Sequence, residues 1–265
     1  LMSYVNEHYG KKFNIRYVEQ EKRLGLGHSV YITREYVEGS DVMIALGDMI
    51  FKAGYIDFYQ KHIENKKCSG SIGVKEVDEP RKYGIVEIEH TSYCIRKLEE
   101  KPEKPTSNLG IAGVYFIRDT EMLFNILERM INNGKTTRGE YQLTDALQEM
   151  IQCGLKLKTF EVSSWYDCGH ARSLLETNQV LLNEKVDVDN TYENENSMII
   201  HPVAIGKNVK IINSVVGPYT SISEGTIIRN SIISDSVIGS RTEISNMNLQ
   251  TSIVGDDANV FGKHN

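Results

Sequence analysis

The feature that most constrains the fold is a repeat of aliphatic residues in the last third of the chain. Four of them, Ile205, Ile222, Ile238 and Val254, are 17, 16 and 16 residues apart, and others fall between them at steps of mostly five or six. Short strands repeated at such a period are typical of a parallel β-helix, in which the aliphatic side chains point into the core. We therefore predict a β-helix of roughly three to four coils over residues 198–265.

The earlier part of the chain alternates apolar strands with amphipathic helices. This alternation predicts an α/β domain with a mixed, mostly parallel sheet and flanking helices over residues 1–183. Residues 184–197 are rich in Asp, Asn and Glu, which predicts a linker. Strands are predicted at 13–18, 42–46, 70–75, 84–88, 113–117 and 157–162, and helices at about 27–37, 55–64, 123–131, 143–151 and after 169.

The composition argues against several classes of protein. A formal net charge of −6 disfavours non-specific binding to nucleic acid. No run approaches the length of an apolar membrane span, so no membrane association is predicted. The four cysteines, Cys68, Cys94, Cys153 and Cys168, include no CxxC pair, which predicts reduced thiols, a cytoplasmic location and no zinc site.

Two acidic residues at the ends of predicted strands are the first candidates for chemistry. Asp48 follows the apolar run 42–46, and Asp167 follows the only tryptophan, Trp165. Ligands gather at the carboxyl ends of strands in open α/β sheets, and two carboxylates delivered there could hold a divalent cation against phosphates. In the structural alternative, Asp48 begins a turn and Asp167 caps the helix that follows.

Short motifs between these two residues add further candidates. The glycines of residues 25–27 precede a helix, where glycine lets a base or a phosphate approach the backbone. Glu100 can accept hydrogen bonds from sugar hydroxyls, and the adjacent Lys101 can bind a phosphate. The structural alternatives are glycines kept for turn geometry, an exposed charged loop, and a helix cap at Thr144 or Asp145.

Seven motifs occur in a fixed order along the chain: GLGHS, LGDMIF, PRKYGIVE, EEKP, NLGIAGVYFI, RGEYQLTD and WYDCG. Together with the repeats they resemble the sugar-1-phosphate nucleotidyltransferases, from about residue 12 to the end of the chain. The resemblance implies a Rossmann-like sheet domain and a left-handed β-helix. It also implies attack of a sugar-1-phosphate oxygen on the α-phosphorus of a nucleoside triphosphate, with release of pyrophosphate and no protein nucleophile.

The resemblance implies roles for ten residues, of which Lys101, Asp48 and Asp167 form the catalytic set. His28 is expected to be a residue of the loop or of the helix start and not a general base. The ten roles are Gln20 and Gly25 at the nucleobase, Asp48 and Asp167 as Mg²⁺ ligands, Gly84, Glu100 and Gly113 in the sugar pocket, Lys101 at the sugar phosphate, and Glu140 and Asp145 as pocket support.

The resemblance also ranks the substrates and partners. The spacing of Gln20 and Gly25 is similar to that of enzymes that use pyrimidine nucleotides, with dTTP placed before UTP. Glucose-1-phosphate is the default sugar by resemblance alone. We expect a nucleoside triphosphate and a sugar-1-phosphate as partners, no nucleic acid and no membrane, and a homo-oligomer formed through the β-helix or the sheet domain.

The sequence departs from the family pattern at its start. Family members begin with a strand and a glycine-rich loop that cradles the triphosphate, and no such segment is present here. We therefore expect the parent protein to be active and the chain as it stands to be inactive. Two alternatives stay open: a non-catalytic regulatory or scaffold subunit with the same fold, and an acyltransferase built on the β-helix with His201 and His264.

Overall fold

The structure, a computed structural model, describes residues 2–64, 67–89, 92–184 and 192–262. The chain divides into two compact units. Unit 1 comprises Leu1–Gly47 and Phe51–Trp165, and unit 2 comprises Asp48–Ile50 and Tyr166–Asn265. None of the helices described is both long and apolar enough to cross a membrane.

The described residues form seven α-helices and one short 3₁₀ turn, Pro80–Lys82. The helix predicted over 27–37 is in fact two helices, because the Thr33 hydroxyl donates to the Val30 carbonyl (2.7 Å) where the first one ends. The α-helices are α1 Met2–Tyr9, α2 Leu26–Tyr31, α3 Arg34–Val37, α4 Tyr55–Glu64, α5 Thr120–Asn132, α6 Leu143–Gln152 and α7 Ala171–Asn183.

Unit 1 is built on a six-stranded sheet with the order β5-β4-β6-β3-β7, in which β1 pairs with β6 beside this path. Two further short strands, β2 and β8, pair with each other, and most of their residues belong to unit 2. The strands are β1 Val42–Ala45, β2 Met49–Phe51, β3 Gly70–Glu76, β4 Gly84–Ile88, β5 Ile95–Glu100, β6 Leu109–Ile117, β7 Leu157–Glu161 and β8 Trp165–Asp167.

The mixed α/β fold is confirmed, but the expectation of a mostly parallel sheet is corrected. Only β3 and β7 pair in parallel among the described strands of this sheet. Strand β6 is antiparallel to β1, β3 and β4, and β4 is antiparallel to β5. Aliphatic runs identify a buried strand without fixing its direction, so the sequence pattern did not contain this information.

The core of unit 1 lies between the sheet and helices α5 and α6. Eight of the nine residues of β6 are buried, which identifies it as a central strand. Helices α5 and α6 carry apolar residues at helical spacing and bury, among others, Leu123, Leu127, Leu147 and Met150 against the sheet. The sheet and these helices form the frame from which the polar side chains of unit 1 project.

The strand predicted at 13–18 is wrong. These residues form no strand, and Phe13 and Tyr17 are exposed. The Tyr17 hydroxyl donates to Asn6 in α1 (2.9 Å), a helix that buries none of its own residues. Period-two alternation predicts a half-buried face, but a strand also needs a partner to pair with, and this segment has none among the described residues.

Unit 2 contains the predicted parallel β-helix, with about four coils. Its strands form three parallel sheets, β21-β18-β15-β12-β9, β10-β13-β16-β19 and β11-β14-β17-β20. The strands are β9 Glu193–Glu195, β10 Met198–Ile199, β11 Val203–Ile205, β12 Lys210–Ile212, β13 Val215–Val216, β14 Thr220–Ile222, β15 Ile227–Arg229, β16 Ile232–Ser234, β17 Val237–Ile238, β18 Glu243–Ser245, β19 Asn248–Gln250, β20 Ile253–Val254 and β21 Asn259–Phe261.

The register of the coils confirms the predicted repeat. Ile205 pairs with Ile222, Ile222 with Ile238, and Ile238 with Val254, so the four residues spaced 17, 16 and 16 apart stack in one column. The first three are buried in the interior of the β-helix. The repeat length is therefore the length of one coil.

Polar residues at the corners of the coils are also stacked. Four asparagines with positive φ, Asn196, Asn213, Asn230 and Asn246, turn the chain at equivalent positions. Their side chains bond to each other from coil to coil, from Asn196 to Asn213 (2.8 Å) and from Asn230 to Asn246 (3.2 Å). Asparagine tolerates the left-handed region better than other non-glycine residues, which explains its repeated use here.

The β-helix begins earlier than the sequence predicts. Strand β9 falls within the predicted linker 184–197, and it pairs in parallel with β12. Residues 193–195 therefore belong to the β-helix, while residues 185–191 lie outside the described residues. The left-handed sense of the coil and a domain boundary at residue 183 stay predictions.

Two adjacent isoleucines of β16 test the β-helix register. Ile233 is fully buried, whereas Ile232 points outward and is 52% exposed. We expect Ile233→Ala to lower the free energy of unfolding by about 3 kcal/mol through the cavity it leaves, and Ile232→Ala to lower it by less than about 1 kcal/mol. Urea denaturation followed by circular dichroism measures both. Equal losses would contradict the register.

A buried histidine in unit 1 ties α4 to the sheet. His62 is 3% exposed, its Nδ1 lies 2.7 Å from the Ser71 hydroxyl, and its ring stacks on Phe116. Burial, and then the positive charge of Arg118, lowers the pKa of His62 to about 4, although Asp41 acts in the opposite direction. The folded state therefore binds fewer protons at this residue than the unfolded chain does in the window between pH 6.5 and 4.

Stability should consequently rise with pH in that window. The contribution of His62 is fully present above its ordinary pKa of 6.5 and is lost as the pH falls towards 4. Between pH 7 and pH 5, we expect the free energy of unfolding of His62→Asn to fall by about 1–2 kcal/mol less than that of the wild type. His8→Asn, at an exposed histidine, is the control and should keep the wild-type slope. Identical slopes for all three proteins would contradict the assignment.

Candidate active site

Asp48 and Asp167, which are far apart in sequence, are neighbours in unit 2. Asp48 lies in the turn before β2, and Asp167 is the last residue of β8. The Cys168 N–H donates to the Asp48 carbonyl (2.8 Å) and joins the two segments. A Cβ placed on Gly169 would lie 3.0 Å from Asp48 Oδ2 and 3.1 Å from Asp167 Oδ1. Both carboxylates therefore converge on a residue that has no side chain to separate them.

The structural alternatives account for only part of this arrangement. Asp48 does lie in a turn, but Asp167 is not the cap of α7. That helix starts after His170, which forms a capping box with Ser173. Asp167 Oδ1 instead accepts a hydrogen bond from the Gly169 N–H (2.7 Å). The direction of the Asp167 carboxylate towards Asp48 is not needed for capping.

The donor set at this pair suits Mg²⁺. Carboxylate oxygens are hard ligands, and Mg²⁺ in proteins is commonly held by one or two carboxylates, with water and substrate phosphates completing the shell. Within the described ranges no group of three or more His, Cys, Asp and Glu residues is arranged to hold a metal ion. The residues present fit an ion shared with a phosphate substrate better than a closed metal site, and the metal role of Asp48 and Asp167 stays a prediction.

The glycine loop at the start of α2, residues 25–27, is held in unit 1 by backbone hydrogen bonds that involve Tyr141. The Gly27 N–H donates to the Tyr141 carbonyl, and the Tyr141 N–H donates to the Leu24 carbonyl, both at 2.8 Å. Gly25 has a φ of +102°, and a Cβ there would lie 2.7 Å from the Tyr141 carbonyl oxygen and 2.8 Å from Glu140 Cβ. Only glycine fits this close backbone contact, so Gly25 has a structural reason to be present.

Gln20 lies against the same loop. Its Nε2 atom is 3.2 Å from the Gly25 carbonyl oxygen and 3.0 Å from His28 Nδ1. His28 lies in the first turn of α2, as the sequence predicts, and its ring stacks at 6.5 Å on Tyr141. Gln20 and Gly25, the two residues predicted to meet the nucleobase, are therefore in direct contact.

A largely buried carboxylate forms a second group in unit 1. The Glu100 side chain, 10% exposed at the end of β5, accepts a hydrogen bond from the Thr144 hydroxyl (2.7 Å). A Cβ on Gly84 would lie 3.0 Å from Glu100 Oε2 and 3.1 Å from Thr144 Oγ1. Burial, and then the charge of Glu100, raises the pKa of Tyr115. The structure thus brings together Glu100 and Gly84, two residues predicted for the sugar pocket.

Lys101 follows Glu100 in an unusual backbone conformation. It has a φ of 44°, and its Nζ atom is 3.8 Å from Glu100 Oε1. The Arg138 guanidinium donates to the Lys101 carbonyl (2.7 Å), and Arg138 has a φ of 56° itself. Non-glycine residues in the left-handed region cost free energy and cluster at functional sites. The loop that carries the predicted phosphate-binding lysine is therefore held in place from a second segment.

The other three residues to which the resemblance gives a role, Gly113, Glu140 and Asp145, also belong to unit 1. Gly113, with a φ of 80°, accepts a hydrogen bond at its carbonyl from the Leu46 N–H (3.0 Å). Glu140 accepts one from the Gln142 side chain (3.1 Å). Asp145 lies in the first turn of α6 and is partly buried. The ten predicted residues thus divide between the units, with Asp48 and Asp167 in unit 2 and the other eight in unit 1.

Sequence reasoning missed three residues that hold the predicted ones. Thr144 was considered only as a helix cap, yet the structure gives α6 no side-chain cap at its N-terminus. Arg138 precedes Gly139 in a tight turn in which residues 137 and 140 pair, and the Arg-Gly pair was a usable turn signal. Tyr141 acts through its backbone, which no side-chain pattern reveals. His201, considered for acyl transfer, lies in unit 2, and His264 lies outside the described residues.

The chain is similar in sequence to curated proteins of known activity. The glucose-1-phosphate thymidylyltransferase of Streptomyces griseus is 29% identical over 267 residues, which cover 93% of this chain and 73% of that protein. The bifunctional protein GlmU of Methanococcus vannielii is 31% identical over 286 residues, which cover 97% of this chain and 65% of that protein. Neither match decides the order of dTTP and UTP, and neither supports the expectation that the chain is inactive.

A solved structure and a family model complete the comparison. The fold is similar to that of a UDP-glucose pyrophosphorylase complexed with UDP-glucose, with a TM-score of 0.56 and 23% identity over 70% of this chain and 74% of that one. The family model described as nucleotidyl transferase matches residues 2–184. The chain therefore belongs to the nucleotidyl transferase family, among the homologues of the sugar-1-phosphate nucleotidyltransferases.

Proposed function

We propose that this protein transfers a nucleotidyl group from a pyrimidine nucleoside triphosphate to glucose-1-phosphate, with dTTP as the first substrate and UTP as the second. The observation that carries the proposal is the convergence of Asp48 and Asp167 on Gly169. The thymidylyltransferase relative supports dTTP, and the solved pyrophosphorylase bound to UDP-glucose supports a glucosyl acceptor and keeps UTP as the alternative.

In the reaction, an oxygen of the sugar phosphate forms a bond to the α-phosphorus as the bond from that phosphorus to the bridging oxygen of the β-phosphate breaks. Pyrophosphate leaves, and the product is a nucleoside-diphosphate sugar. The protein supplies no nucleophile in this scheme, so its contribution is the orientation of two phosphates and the neutralisation of their charge.

The acceptor side of the site uses Glu100 and Lys101. The Glu100 carboxylate, held by the Thr144 hydroxyl, accepts hydrogen bonds from sugar hydroxyls. Gly84 leaves the space beside it free of a side chain, since a Cβ there would lie 3.0 Å from Glu100 Oε2. Gly113 is the other glycine proposed to line the sugar pocket. The Lys101 ammonium, on its fixed loop, neutralises the sugar phosphate. Glu140 and Asp145 support the pocket.

For the nucleotide, Gln20 and Gly25 in unit 1 are the proposed contacts of the base, and Asp48 and Asp167 in unit 2 are the proposed residues for the phosphates. Asp48 and Asp167 are the residues that would hold Mg²⁺. A bound Mg²⁺ supplies charge neutralisation to the phosphates in this chemistry. Two carboxylates would leave other coordination positions of such an ion to water and phosphate oxygens.

We also propose a cellular compartment and an oligomeric assembly for this protein. All four cysteines are free thiols, which supports a reducing compartment such as the cytoplasm. Assembly into a homo-oligomer through the β-helix or through the sheet domain is supported by exposed apolar side chains in both, such as Ile232 in the β-helix and Ile56 in α4.

The proposed function is tested by turnover of the protein with Mg²⁺, glucose-1-phosphate and either dTTP or UTP. We expect dTDP-glucose and pyrophosphate in equal amounts, formed faster from dTTP than from UTP. Products are separated by anion-exchange chromatography, and omission of the sugar phosphate is the control. Absence of nucleotide-sugar from both triphosphates would contradict the proposal, and faster turnover of UTP would reverse only the substrate order.

The aspartate pair is tested by charge removal at constant size. We expect Asp48→Asn and Asp167→Asn each to lower kcat by about 10²–10³-fold, because each removes one carboxylate from the site of phosphate charge. The double variant should be little worse than the more damaged single variant, since the two groups act as a unit.

The matched control for the aspartate pair is Asp119→Asn. Asp119 is exposed and makes no side-chain cap at the start of α5, so its replacement should leave kcat unchanged. Losses that multiply in the double variant would mean that Asp48 and Asp167 act independently.

A further inference from the structure

The Gln20 amide can be oriented by chemistry alone. The amide atom nearest the Gly25 carbonyl oxygen is 3.2 Å from it, and a carbonyl oxygen can only accept a hydrogen bond. The amide oxygen at that position would face another oxygen with no proton between them. The nitrogen, Nε2, must therefore face Gly25, and Oε1 occupies the other branch of the amide.

This orientation fixes the role of His28. Nε2 also lies 3.0 Å from His28 Nδ1, and Nε2 can only donate. Nδ1 must therefore accept, which puts the proton of the neutral imidazole on its Nε2 atom. Every hydrogen bond that the Gln20 side chain makes within the described ranges then uses its nitrogen. Both amide protons are engaged, and Oε1 is left as an acceptor without a partner there.

The imidazole is held in place by its surroundings. His28 follows Gly27, whose N–H donates to the Tyr141 carbonyl, and the His28 ring lies at 27° to the Tyr141 ring. Gly25 packs closely against the same segment, where a Cβ would lie 2.7 Å from the Tyr141 carbonyl oxygen. The imidazole that accepts from Gln20 is therefore held in place by contacts of this segment with Tyr141.

We propose that His28 is a positioning residue that keeps the oxygen of Gln20 available to the base, and that this oxygen selects bases with an imino N–H. The proposal rests on the proposed function, which places Gln20 at the nucleobase. Without the His28 acceptor, only the Gly25 carbonyl holds the amide nitrogen, so the amide is held less firmly and its oxygen is presented to the base less often. His28 acts through Gln20 and need not touch the nucleotide.

The base chemistry makes the selection specific. Uracil and thymine carry a proton on N3, which can donate to Gln20 Oε1. Cytosine has a lone pair on N3, so its ring nitrogen would face the amide oxygen without a proton between them. Guanine also carries an imino N–H, so this contact separates uracil from cytosine and leaves purine exclusion to other groups. UTP and CTP are therefore the matched probes.

The test is the binding of UTP and CTP, each with Mg²⁺, to the full chain by isothermal titration calorimetry. We expect the wild type to prefer UTP by at least roughly tenfold, the scale of one hydrogen bond gained or left unsatisfied. His28→Leu removes one of the two acceptors of the amide nitrogen and should reduce the preference for UTP severalfold. His28→Asn places an amide oxygen near the former Nδ1 and should restore most of the preference. His8→Asn, at an exposed histidine whose Nδ1 lies 2.9 Å from the Tyr4 carbonyl oxygen within α1, is the control and should keep it.

The outcomes separate this inference from the proposed function. Equal binding of UTP and CTP by the wild type, or an unchanged ratio in His28→Leu, would overturn the role of His28 while nucleotide binding stands. If the wild type bound neither UTP nor CTP, both the role of His28 and the proposed function would be overturned. If His28→Leu fails to fold, ¹⁵N NMR of the wild type decides: a proton on Nε2 of His28 supports the inference, and a proton on Nδ1 overturns it.

Discussion

Backbone pairing along β6 is the constraint on which the geometry of unit 1 depends. This one strand pairs with β1, β3 and β4, and it is buried along almost its whole length. Through β4 it fixes Gly84 and, by the β4–β5 pairing, Glu100, which lies directly opposite Gly84. Gly113 lies within β6 itself and bonds to Leu46 at the end of β1. The polar groups of unit 1 are thus carried by a rigid and mostly apolar frame, as precise functional sites require.

A single short segment, residues 137–142, connects the two groups of polar residues in unit 1. Arg138 holds the carbonyl of Lys101, and Tyr141 holds the glycine loop beside Gln20. The loops that these contacts support include left-handed backbone, with positive φ at Lys101 and at Arg138. Such strain persists only where neighbouring bonds over-determine the conformation. The conformations of these loops therefore depend on hydrogen bonds between segments that are distant in sequence.

The sequence predicted the β-helix well, because a coil imposes one repeat length on every residue of its core. Ile205, Ile222 and Ile238 were identified by spacing and stack as expected. Helix α4 was predicted with its observed bounds, since its amphipathic pattern is local. The segment 13–18 failed because alternation cannot supply a partner strand. Contacts such as Thr144 with Glu100, or His28 with Gln20, depend on packing and backbone geometry that no single-sequence pattern encodes.

The central claim is that this site works by positioning and neutralising two phosphates, without a covalent intermediate on the protein. The stereochemistry at the α-phosphorus tests this most directly, with one diastereomer of dTTP that carries sulfur on that phosphorus as the donor to glucose-1-phosphate. A single in-line displacement inverts the configuration, and this is the result predicted for the nucleotide-sugar product. Retention would require two successive displacements through a nucleotidyl-protein intermediate and would contradict the account.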